Sequence, residues 1–91
     1  MQYEWDENKR QINLRKHGFD FIVAGCILED PRSVTVDDVK HSTMTEKRLM
    51  TIGLYKEVVC VVIIHTNRNG IVRIISFRHA NRKEEMLLWQ S

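Results

Sequence analysis

Residues 58–84 read VVCVVIIHTNRNGIVRIISFRHANRKE, and the fold follows from how this stretch is divided. Val58 to His65 is a nearly unbroken β-branched run, the pattern of a central strand covered on both faces. Thr66 to Gly70 has turn chemistry, since Asn69-Gly70 accepts positive φ. Ile71 to Phe77 reads as the next strand, antiparallel to the first because the connection is too short for a parallel crossover. Strict alternation puts Ile71, Arg73, Ile75 and Phe77 on one face and Val72, Ile74, Ser76 and Arg78 on the other. Asn81 is placed to cap a final helix, with Glu84 three residues on as the returning carboxylate of a capping box.

Working upstream, Leu49–Tyr55 reads as a strand and Ser33–Val36 as a shorter one, with a polar, aperiodic loop between them. The sequence predicts a helix starting after Asp6, whose carboxylate caps it. Glu7 suits the positive end of that helix, Arg15, Lys16 and His17 suit the negative end, and Gly18 terminates it. A second helix is expected from Asp20 to about Glu29, stopped by Asp30-Pro31. The expected order is ααββββα. This is one α+β domain over residues 1–91, with two N-terminal helices, a four-stranded twisted antiparallel sheet and a C-terminal helix.

Composition excludes several classes. At 43% hydrophobic and 29% charged residues the chain is neither disordered nor membrane-like. No apolar run approaches the ~20 residues of a span, and MQYEWDENKR lacks the apolar core of a signal peptide. The expectation is a cytoplasmic protein, with Cys26 and Cys60, both in apolar runs, as buried free thiols. The net charge of +2 is unevenly placed: residues 1–17 sum to +1, 18–48 to −2 and 49–91 to +3. A basic C-terminal half favours an anionic partner, with phosphate the obvious candidate.

The strand-to-helix junction concentrates cations. An arginine inside an apolar strand must reach water, a carboxylate or a phosphate, and for Arg73 a structural ion pair is the competing account. Arg78, placed at the strand end with its guanidinium toward solvent, can converge with Arg82 where the helix amides also point, a reasonable phosphate site. Four histidines, His17, His41, His65 and His79, show no metal-ligand spacing and no cysteine pair supports them. No metal or other cofactor is therefore expected. His65, near a loop, and His79, among the arginines, are the acid/base candidates. His41 and Tyr55 are weaker candidates; His41 lies with Glu46 and Arg48 in the polar loop, where a loop-ordering ion network is the simpler account.

Four motifs in order then carry a resemblance over nearly the whole length. They are the opening YEWDENKRQINLRKHGFDF, Asp30-Pro31, Glu46 and Arg48 followed by Ile52-Gly53, and VRIISFRHANRKE. The chain resembles the BrnT family, ribonuclease toxins of type II toxin–antitoxin pairs. The resemblance implies a RelE-like fold and metal-independent endonucleolytic cleavage of RNA by a ribose 2′-hydroxyl. It also implies a BrnA-like ribbon-helix-helix antitoxin, with operator DNA bound only through the toxin–antitoxin complex. On this reading Arg73 and Arg78 stabilise phosphate charge, Arg68, Arg82 and Lys83 bind the RNA backbone, and His65 or His79 transfers the proton. Two features depart from the family pattern: Asn67-Arg68-Asn69-Gly70 lacks a carboxylate, and Glu85-Met86-Leu87-Leu88 replaces a more basic stretch. Two other readings stay open, a catalytically weak antitoxin-bound corepressor and a nucleic-acid-binding module outside any toxin system.

Overall fold

The structure, a computed structural model, describes residues 1–90. The chain runs β1 (Tyr3–Glu4), α1 (Glu7–His17), a 3₁₀ turn (Phe21–Val23) leading into α2 (Ala24–Leu28), and β2 (Val34–Asp37). A second 3₁₀ turn (Val39–His41) precedes β3 (Arg48–Tyr55), β4 (Val59–Arg68), β5 (Ile71–His79) and α3 (Arg82–Trp89). The α+β class holds, but the sheet has five strands in the order β1-β5-β4-β3-β2 and is mixed. The unforeseen strand is β1, which pairs parallel to β5 through Tyr3–Val72 and Glu4–Arg73. Two residues are too few to leave a period in the sequence.

The expected second helix is also modified. It opens as a 3₁₀ turn and continues as only five α-helical residues. Gly25 in it leaves room for Tyr3: a Cβ there would lie 2.8 Å from the Tyr3 ring, which would have to shift. Cys26, expected inside, is exposed, whereas Cys60 is buried. The caps form as the sequence predicts: Asp6 accepts from Asn8 and Lys9, Gly18 adopts φ +81°, and Asn81 and Glu84 complete a capping box. The hairpin between β4 and β5 narrows to Asn69 (φ 54°) and Gly70 (φ 80°), so β4 extends to Arg68.

The helices cover the two faces unequally. Phe19, Phe21, Ala24 and Ile27 pack with Val61, Ile63, Val72, Ile74 and Phe77 on one face. Leu88 of α3 packs with Ile52, Cys60, Val62 and Ile64 on the other. The membership of Val72, Ile74 and Phe77 in one cluster breaks strict alternation. The cause is a bulge: His65 pairs with Ile74 and Ile64 with Ser76, leaving Ile75 as the extra residue of β5. Arg73, between Val72 and Ile74, therefore shares the α3 face with Arg78, which pairs with Val62. Strict alternation alone places the two arginines on opposite faces.

Helix α1 has no apolar face; Ile12 and Leu14 are exposed, and Asn13 is its buried residue. Its attachment is polar. β1 covers β5 only at Val72 and Arg73, and further along the free edge Asn13 takes the place of a strand. Its Nδ2 donates to the Phe77 carbonyl (2.8 Å) and the Phe19 carbonyl (3.1 Å), and its Oδ1 accepts from the Phe77 amide (3.1 Å). Asn13→Ala leaves three buried backbone groups without these partners and should lower the unfolding free energy by about 3 kcal/mol, measured by urea denaturation. Asn13→Asp, which faces two carbonyls with acceptors only, should be no more stable than the alanine variant.

Candidate functional site

On the α3 face the helix covers only part of the sheet, and a groove of about 460 Å³ remains beside it. Its floor is Met50 of β3, Ile64 of β4 and Ile75 of β5. One wall is the start of α3, with Asn81 and Glu84; the other is the 3₁₀ segment with Asp38, Lys40 and His41. Arg48 and Arg78 reach in from the strands. The three permanent cations, Lys40, Arg48 and Arg78, outnumber the two carboxylates, Asp38 and Glu84.

Arg78 lies in the groove but is not a free cation. Its Nη1 and Nη2 donate to Glu84 Oε1 (2.8 Å) and Oε2 (2.9 Å) in a two-point fork. The arginine side chain is 31% exposed and the glutamate 11%, so the expected solvent-facing guanidinium is replaced by a half-buried ion pair. The Arg78 hydrogen bonds hold the Glu84 carboxyl below its usual range, against the opposing effect of burial. Glu84 also accepts from the Asn81 amide (2.9 Å), so the capping box and the Arg78 fork share one carboxylate.

The other expected cations divide. Arg73 donates to Glu4 Oε2 (2.8 Å), a structural ion pair. Arg68 donates to Glu46 Oε1 at 2.8 and 3.2 Å. Arg82 and Lys83 are exposed on the first turn of α3.

The sheet separates the two favoured histidines from the arginines. His65 pairs with Ile74 of the α1/α2-face cluster and is buried (7% exposed), with Nε2 2.7 Å from Thr51 Oγ1 and Nδ1 unpartnered. Burial pushes its pKa down to about 4. His79, although exposed, lies edge-on against Phe19 of the same cluster, ring centroids 4.8 Å apart. The histidine that lines the groove with Arg78 is His41, the weaker candidate on sequence. The available signal was its i, i+3 spacing from Asp38, because Asp38 begins the 3₁₀ turn that brings them together. Among the described residues no group of three or more His, Cys, Asp or Glu is arranged to hold a metal ion. Among the described residues no helix is long and apolar enough to cross a membrane.

In class, the chain is similar to small ribonuclease toxins. The 1.1 Å crystal structure of the Brucella abortus ribonuclease toxin BrnT matches it with a TM-score of 0.69 and 28% identity, over 90% of this chain and 99% of that one. No curated protein sequence matches. The family model described as the ribonuclease toxin BrnT of type II toxin–antitoxin systems matches residues 5–84, and the chain belongs to that family.

Two outcomes follow from this geometry. The unfolded chain takes up a proton on His65 near pH 6.5, but the folded chain does so only near pH 4. Between these values the unfolded state holds more protons, so stability falls as pH falls, by about 3 kcal/mol in full. His17, also lowered by burial, adds in the same direction. His65→Gln should flatten the pH 4–6.5 slope of unfolding free energy measured by urea titration. Separately, Arg78→Ala should cost about 3 kcal/mol, the low end for a broken buried pair. Arg78→Ala combined with Glu84→Gln should recover part of that loss in thermal melts.

Proposed function

We propose that this member of the BrnT family is an active endoribonuclease that cleaves RNA without a metal cofactor. A ribose 2′-hydroxyl attacks the adjacent phosphodiester, and arginine stabilises the added charge of the transition state more than that of the ground state. The observation that carries the reading is the groove on the α3 face, where Arg78 and Arg48 lie over a recess within the ~300–1,000 Å³ range of ligand sites. Arg78 is the charge-stabilising residue. Arg73, on the same face of β5, and Arg68, at the end of β4, extend the phosphate path, with Arg82 and Lys83 flanking it on α3. Proton transfer belongs to a histidine.

In the same reading a BrnA-like ribbon-helix-helix antitoxin neutralises the toxin, and operator DNA is bound only through that complex. The competing role is a corepressor with little activity, favoured by one observation: Glu84 already neutralises Arg78.

Induced expression in bacteria should arrest growth and degrade RNA, read on total-RNA gels. Purified protein should cleave RNA undiminished in EDTA. Normal growth with intact RNA at high expression favours the corepressor, and activity abolished by chelation and restored by zinc or manganese overturns the metal-free mechanism.

A further inference from the structure

We propose that His41 is the catalytic base of the groove, oriented by Asp38, and that Arg48 is a second phosphate ligand beside Arg78. The proposal rests on the ribonuclease reading and assigns its proton transfer.

The first observation is a hydrogen-bonded dyad. His41 Nδ1 lies 2.9 and 3.1 Å from the two carboxylate oxygens of Asp38. A carboxylate only accepts, so Nδ1 carries a proton, and in the neutral imidazole the lone pair is then on Nε2. The partners differ in exposure as a base and its orienting group should: the Asp38 side chain is 10% exposed and the His41 side chain 56%.

The second observation is how the dyad is fixed to Arg48. The Asp38 amide donates to the Arg48 carbonyl (2.9 Å), Ser42 Oγ donates to the Asp38 carbonyl (2.7 Å), and the Arg48 amide donates to Ser42 Oγ (2.9 Å). The loop carrying His41 is thus laced to the start of β3, where Arg48 enters the groove. Arg48 is also unsaturated. Its Nε is buried without a partner, and its nearest carboxylate oxygen, on Glu46, is 3.6 Å away. The Arg48 side chain is 29% exposed, so the end of its guanidinium, rather than the enclosed Nε, is what the groove can offer an anion.

These groups suffice for transphosphorylation. The 2′-hydroxyl proton passes to His41 Nε2, and the bond from the 2′-oxygen to phosphorus forms as the bond from phosphorus to the 5′-oxygen breaks. The departing 5′-oxygen takes a proton from the imidazolium or from groove water. The products are a 2′,3′-cyclic phosphate and a 5′-hydroxyl end. Asp38 acts through His41 and is a positioning residue.

The test is steady-state cleavage by the full chain of an RNA presented free and on ribosomes, with end-group analysis. His41→Ala should lower kcat by ~10²–10⁴, the usual worth of a general base, with KM little changed and the melting temperature unaltered. Added imidazole should restore much of the lost rate. Asp38→Asn should lower kcat without raising KM, and Arg48→Ala should raise KM. If wild type cleaves RNA and His41→Ala stays within about threefold of it, the base assignment falls and the ribonuclease reading stands. If the rate is lost but imidazole does not restore it, His41 orders the loop and the proposal is overturned. If wild type cleaves neither form of RNA, both readings fall together.

Discussion

A single amide side chain completes the hydrogen bonding that the sheet leaves open at Phe77. Beyond Arg73, β5 has no neighbour on its outer side, and an exposed strand edge invites pairing with another chain. Asn13 closes it with one acceptor and one donor, the same pair a neighbouring strand would offer, and its second N–H holds Phe19. Helix α1 has no apolar stripe, so this contact fixes where it lies. Arg10 extends the anchorage by donating to Asp20 at 3.0 and 3.1 Å, where the 3₁₀ turn begins. Phe19, between these two tethers, stacks on Phe77 with centroids 4.8 Å apart. The helix layer is thus registered on the sheet by polar contacts, and the apolar core fills in between.

The bulge at Ile75 depends on the same edge. An extra residue is easiest to accommodate where one side of a strand is unpaired. It lies between Ile74, which packs under the helices, and Phe77, which returns to them, so Ile75 turns onto the opposite face and becomes groove floor. It also aligns Arg73 and Arg78 on that face.

Much of this was legible in the chain. Asp6, Gly18, Asn81 and Glu84 act locally, through amides within a few residues, so their caps could be read directly. The long strands carried enough β-branched residues to be located. What escaped depends on distant partners. β1 is defined only by Val72 and Arg73, far away in sequence. The bulge leaves no mark on a run as apolar as IVRII, and it alone decides which face each arginine takes. His65 read as a strand-end residue near a loop, but β4 runs three residues further and buries it. His41 lies three residues after Asp38, but the contacts of Asp38 and Ser42 with Arg48 that order the loop leave no period in a polar stretch.

The Arg78–Glu84 fork bears on how such a groove can hold phosphate. A half-buried guanidinium in a groove floored by Met50, Ile64 and Ile75 is partly desolvated, and a partner offsets that cost. Glu84 provides one, and Glu84 is itself fixed by the cap of α3, so the fork has a set position before any ligand arrives. Its net charge is near zero, however, and attraction over distance must come from Lys40 and Arg48. In the ribonuclease reading the two roles separate: the unsaturated arginine draws the phosphate in, and the paired one offers its remaining N–H groups only at close range. A donor that is preset and weakly attractive at a distance suits a site that must bind the added charge of a transition state better than the substrate.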